Sequence, residues 1–103
     1  MTKKQAILIT GCDSGFGYSL ACHLASKHPE FLTIACCYSM NSEGAQNLES
    51  KSVTVLPLDV TDDNSIEILK NQVDILLEQH NGELWTLVNN AASLVFGKRN
   101  LVC

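Results

Sequence analysis

Four short apolar runs are separated by segments in which apolar residues recur every three or four positions. Residues 5–10, Gln-Ala-Ile-Leu-Ile-Thr, form the first run and end at a glycine. That length suits a strand buried on both faces. From Gly15 the period changes: Phe16, Leu20 and Leu24 recur at helical spacing with Ala21 and Ala25 beside them. This predicts a helix with one apolar face, its last turn carrying Lys27 and His28 and its stop at Pro29. Residues 31–37, Phe-Leu-Thr-Ile-Ala-Cys-Cys, make the second run, and Asn41 or Ser42 can cap a short helix reaching about Ser50. Val53 to Leu58 is the third run; Pro57 lacks the N–H a central strand must donate, so an edge strand is expected. Segment 62–80 places Ile66, Leu69, Val73, Leu76 and Leu77 on one face, with Thr61 or Asp62 to start it and Asn81-Gly82 to end it. Residues 84–88, Leu-Trp-Thr-Leu-Val, are the fourth run.

Apolar strands alternating with amphipathic helices give βαβαβαβ and imply a parallel sheet covered by helices on both faces. Right-handed crossovers restrict the topology. Strand order 3-2-1-4 puts the proline-bearing third strand at an edge, where it is tolerated.

Composition narrows what the sheet can serve. Seven basic and eleven acidic residues give a net charge of −4, and no basic stripe exists, which argues against nucleic acid as a partner. No apolar run approaches the roughly 18–20 residues needed to span a bilayer. The apolar stretch Ala6–Ile9 is too short for a signal peptide, so an intracellular, most simply cytoplasmic, location is expected. The five cysteines, Cys12, Cys22, Cys36, Cys37 and Cys103, are odd in number and show no C-x-x-C spacing. They read as reduced thiols in a reducing compartment, with Cys36 and Cys37 facing opposite sides of their strand. His23, His28 and His80 have no ligand spacing, so no metal site is expected.

The strongest chemical signal is Thr10-Gly11-Cys12-Asp13-Ser14-Gly15-Phe16-Gly17, lying between a buried strand and a helix. Gly11 permits a tight turn, Gly15 lets backbone approach a pyrophosphate, and Gly17 lets the helix pack close to the sheet. The N–H groups opening the helix then face the anion, and Ser14 either caps the helix or bonds a phosphate. The spacing G-x-x-x-x-G-K-S/T is absent, which disfavours ATP hydrolysis. Asp59 with Val60 follows the third strand: the carboxylate can accept from an adenine amino group and the Val60 N–H can donate to a ring nitrogen. Asp59 can equally cap the turn toward the next helix. Asn89-Asn90-Ala91-Ala92 ends the fourth strand; asparagine amides can bridge strand backbones, and the alanines leave room for a ribose. All three motifs fall at the carboxyl ends of strands, where open α/β sheets bind ligands.

Taken together, T-G-x-x-x-G-x-G, then Asp59-Val60, then Asn89-Asn90-Ala91 resemble the ordered signature of the short-chain dehydrogenase/reductase family. The string T-G-C-D-S-G-F-G and Leu84–Val88 resemble the branch holding retinol, 17β-hydroxysteroid and 3-hydroxybutyrate dehydrogenases. The resemblance runs from about residue 5 to residue 97. It implies a Rossmann-type fold, NAD(P) as dinucleotide partner and alcohol–carbonyl interconversion. It also implies that Gly11, Ser14, Gly15, Phe16 and Gly17 contact cofactor phosphates and nearby ribose, that Asp59 and Val60 hold adenine, and that Asn90, Ala91 and Ala92 line the ribose pocket.

Three departures qualify this picture. Ala92 stands where the family usually has glycine, which costs roughly 1 kcal/mol if the backbone there needs φ > 0. Cys37-Tyr38-Ser39 after the second strand carries neither the acid of NAD-preferring members nor the arginine of NADP-preferring ones. With no basic residue to receive a 2′-phosphate, NAD is favoured and NADP is the alternative. Finally, the family's catalytic serine and Y-x-x-x-K lie downstream: Tyr18 and Tyr38 have no lysine four residues on, so no catalytic residue is assigned. Residues 1–103 are therefore expected to be a partial NAD(P)-binding domain, truncated after about the fourth strand, lacking the usual dimer helices and inactive alone. A non-catalytic nucleotide-binding module and a non-functional truncated product are the alternatives.

Overall fold

The computed structural model describes residues 3–90. Four parallel strands, β1 (Lys4–Ile9), β2 (Leu32–Cys37), β3 (Thr54–Pro57) and β4 (Gly82–Val88), stand in the order β3-β2-β1-β4. This is the expected order, and Pro57 closes β3 at the sheet edge, where a proline is tolerated. Three helices connect the strands: α1 (Gly15–Lys27), α2 (Glu43–Ser50) and α3 (Asp63–Gln79).

The sheet separates two cores. On one face Ile7, Ile9, Ala35, Cys37 and Val55 pack with Ala21 of α1 and with Ala45 and Leu48 of α2. On the other, Ala6, Leu8, Leu32, Ile34 and Cys36 pack with Leu69 and Val73 of α3. Alternate residues of each inner strand therefore serve different helices, which is why β2 is buried along its whole length. Cys36 and Cys37 fall in opposite cores, as strand alternation demands.

The caps follow local chemistry. Ser42 Oγ accepts from the Ala45 N–H and starts α2; Asp62 accepts from the Asn64 N–H and starts α3. Asn81, with φ of 50°, stops α3 in the left-handed region that asparagine tolerates. β4 begins two residues earlier than its apolar run and is irregular. Ala6 pairs with Leu84 and Ile7 with Thr86, so Trp85 is the extra residue of a bulge. The displaced indole stacks on Phe31 at 5.6 Å and 11°.

The phase of α1 differs from the expected one. Gly17 and Ala21 are its buried residues, Leu20 and Leu24 are partly covered, and Phe16 is 65% exposed. The periodicity of Phe16, Leu20 and Leu24 is correct but its centre is not. The helix is rolled so that its glycine, rather than its phenylalanine, meets the sheet.

The four described cysteines are free thiols. Burial, followed by the nearby Cys37 thiol, pushes the Cys12 thiol up to about 12. Burial, followed by the Asp13 carboxylate, pushes Cys37 up to about 12. Burial also holds Cys36 well above the ordinary thiol range. Since the thiolate is the nucleophile, iodoacetamide at pH 8 is expected to label half-buried Cys22 well before Cys12, Cys36 and Cys37. Peptide mapping by mass spectrometry reads this directly, and comparable labelling of all four would contradict the closed sheet.

Candidate dinucleotide-binding site

The loop between β1 and α1 is suspended from both neighbouring strands. Thr10 N–H donates to Val88 O of β4 at 3.0 Å, and Cys12 N–H donates to Cys36 O of β2 at 3.0 Å. Cys12 is wholly buried, its thiol 3.3 Å from Ile9 O, so it anchors the loop to the core. The Thr10 hydroxyl donates to Asn89 Oδ1 at 3.2 Å and accepts from the Asn90 N–H at 3.0 Å. The Asn90 side-chain amide donates to Gly11 O at 3.1 Å. The bridging role expected of the asparagines is thus realised between the segments following β4 and β1.

Each motif glycine does something different. Gly11 has φ of 69° and turns the chain off the strand. Gly15 has φ of 66°, and a Cβ there would meet nothing within 4 Å. The space over its backbone is open. Gly17 is the reverse: a Cβ would run into the Gly11 carbonyl and reach within 2.7 Å of Asn90 Nδ2. α1 therefore approaches the loop as closely as backbone permits. Ser14 occupies the N-cap position in extended conformation, but its side chain makes no capping hydrogen bond. Of the two roles expected for its hydroxyl, helix capping is not the one taken. The N–H groups of the first helical turn have no partner within the helix, and they open beside Gly15.

The second motif is arranged otherwise. Asp59 Oδ1 accepts from the Thr61 N–H at 3.0 Å and the Thr61 hydroxyl at 2.7 Å, closing a turn toward α3. These two bonds, the hydroxyl's first, hold its carboxyl below the ordinary range. Its own N–H donates to Ser65 Oγ at 2.8 Å. The turn-closing role is the one realised within the chain. Val60 is half-buried against the α3-side core. Ala91 and Ala92 lie outside the described residues.

Two positions not singled out in the sequence complete the loop. Asp13 reaches across to the segment after β2: its Oδ1 accepts from the Tyr38 N–H at 2.7 Å and its Oδ2 from the Ser39 N–H at 3.0 Å. Gly44, in the first turn of α2, lies against the Asp13 carbonyl so closely that a Cβ would collide with it. One signal for Gly44 was available: glycine just inside a helix start carries a propensity cost of about 1 kcal/mol that needs a packing reason.

A cavity of about 280 Å³ lies elsewhere. Lys4, Phe31, Thr33, Lys51, Val53 and His80 are among the residues that line it, and no motif residue does. Among the described residues no helix is long and apolar enough to cross a membrane.

Residues 5–101 match the short chain dehydrogenase family. Mouse mitochondrial D-beta-hydroxybutyrate dehydrogenase is 38% identical over 99 residues, covering 91% of this chain and 28% of that protein. Mouse retinol dehydrogenase 7 is 39% identical over 94 residues, covering 91% of this chain and 29% of that protein. The chain thus spans between a quarter and a third of the length of these curated relatives. The crystal structure of NADPH-bound carbonyl reductase from chicken fatty liver superposes with a TM-score of 0.74 at 27% identity, covering 88% of this chain and 35% of that one. With a parallel 3-2-1-4 sheet, a glycine loop opening α1, and this match over nearly its whole length, the chain belongs to the short-chain dehydrogenase/reductase family.

Proposed function

We propose that this chain is the dinucleotide-binding portion of an NAD(P)-dependent oxidoreductase that interconverts an alcohol and a carbonyl, with a retinoid, steroid or hydroxy acid as substrate class. The observation that carries the reading is the opening of α1. There Gly15 offers backbone with open space where a side chain would stand, and Ser14 keeps its hydroxyl out of the helix cap. A diphosphate placed there meets helix N–H groups and the positive end of the dipole. Gly11 and Gly17 set the height of that opening, and Phe16, exposed on the first turn, flanks it. Asp59 and Val60 at the end of β3 hold adenine in this reading. Asn90, already fixed to Gly11 O, lines the ribose side. The nicotinamide, when bound, supplies hydride chemistry. The 103 residues supply binding and orientation, and catalysis is assigned to none of them.

Calorimetric titration of the purified chain with NAD and NADP tests this. Gly15→Val adds a branched side chain to the open space at a positive φ. The fold is expected to lose only about 1–2 kcal/mol, because nothing is displaced. Dinucleotide affinity is expected to fall at least about tenfold, because the side chain occupies the anion's position. A native, cooperatively melting chain that binds neither dinucleotide would overturn the reading.

A further inference from the structure

In sheets of this topology the adenosine ribose lies at the carboxyl end of the second strand. An acid there takes the 2′-hydroxyl of NAD, whereas an arginine accommodates the 2′-phosphate of NADP. The segment following β2 here reads Tyr38-Ser39-Met40-Asn41-Ser42-Glu43-Gly44, with no acid before Glu43 and no lysine or arginine at all. By sequence position the determinant is missing. A carboxylate is nevertheless present at that point in space, since Asp13 accepts from the Tyr38 N–H at 2.7 Å and from the Ser39 N–H at 3.0 Å. These are the first two residues after the strand. Its backbone is pinned from behind by the close approach of Gly44 and from the preceding residue by buried Cys12.

We propose that Asp13, supplied from the β1–α1 loop, makes the site select NAD over NADP. This inference rests on the dinucleotide reading given above. Two physical effects act in the same direction. First, a 2′-phosphate carries a charge near −2 at neutral pH and would approach a carboxylate of like sign with no lysine or arginine between residues 38 and 44 to offset it. Second, successive backbone N–H groups are the natural donors for a phosphate, and those of Tyr38 and Ser39 already serve the carboxylate. A ribose 2′-hydroxyl meets neither obstacle. Each Asp13 oxygen holds one N–H and keeps a second acceptor position, so a hydroxyl can donate to it. Asp13 is half-buried, which leaves that edge reachable.

The test is titration of the full chain with NAD and with NADP, in the native form and as Asp13→Ser and Asp13→Asn. The native chain is expected to bind NAD at least about tenfold more tightly than NADP. Both neutral variants are expected to bring the two affinities within roughly threefold of each other, chiefly by improved NADP binding, since the like-charge penalty is gone. Thermal melts run alongside show whether the loop survives the loss of its latch. If the variants do not fold, the native ratio decides alone: equal affinity for NAD and NADP overturns the inference. A native preference for NAD that persists unchanged in folded Asp13→Ser and Asp13→Asn also overturns it, while leaving dinucleotide binding intact. A folded native chain that binds neither dinucleotide overturns the function itself, and the inference falls with it.

Discussion

Gly17→Ala is expected to lower the melting temperature by roughly 5–15 °C and to abolish measurable dinucleotide binding. One methyl is enough because of what it meets. The added Cβ collides with the Gly11 carbonyl and comes within 2.7 Å of Asn90 Nδ2. The asparagine can swing away, at the loss of its hydrogen bond to Gly11 O. The carbonyl cannot move without the loop, which is tied to β2 through Cys12 and to β4 through Thr10. Over-packing against fixed backbone costs about 1–3 kcal/mol, and each kcal/mol is worth roughly 4–8 °C in a domain of this size. Alanine favours the helix by up to about 1 kcal/mol, which does not offset the clash. Circular dichroism melts measure the first effect and calorimetry the second. A variant that melts within a degree or two of the native chain would show that α1 does not press on the loop.

Gly44→Ala sets two effects against each other, and its sign is the informative outcome. Helix propensity alone predicts stabilisation by about 1 kcal/mol. The contact predicts the opposite, because the new Cβ would overlap the Asp13 carbonyl and lie 2.8 Å from its carbon. The clash is expected to win, for a net loss of roughly 1–2 kcal/mol or about 5–15 °C. The overlapped atoms are backbone with loop bonds on either side, so little relief is available. A chemical-denaturation series gives the free energy directly, and a more stable variant would sink the close packing of α2 on the loop. The two glycines hold the loop from the two helices of one face, Gly17 at Gly11 and Gly44 at Asp13.

The strand order was legible from the alternation of strands and helices with right-handed crossovers, and the edge position it gives β3 agrees with Pro57. The caps at Ser42 and Asp62 and the stop at Asn81 were legible because they depend on side-chain chemistry within three residues. The glycine loop was legible for the same local reason. What the sequence hid depends on distant partners. Asp13 reads as one more polar loop residue until the loop brings it to N–H groups 25 and 26 positions away. Asp59 is different: its turn bonds go to Thr61, two residues on, while a contact to adenine would involve a molecule outside the chain. The roll of α1 is not legible in hydrophobicity alone, which gives Phe16 the inner face, whereas the short distance between helix and loop reserves that face for Gly17.

The bonds joining Thr10 to Asn89 and Gly11 to Asn90 span 79 positions of chain. The glycine motif is therefore complete in the first fifth of the sequence but has no fixed shape until the last described strand has docked beside β1. A nascent polypeptide of 80 residues would carry every glycine of the motif and still lack the formed loop. Such non-local closure is slow relative to helix formation, so ligand affinity should appear late in refolding, together with the final docking event. On the proposed function, dinucleotide recognition would double as a report that assembly has finished.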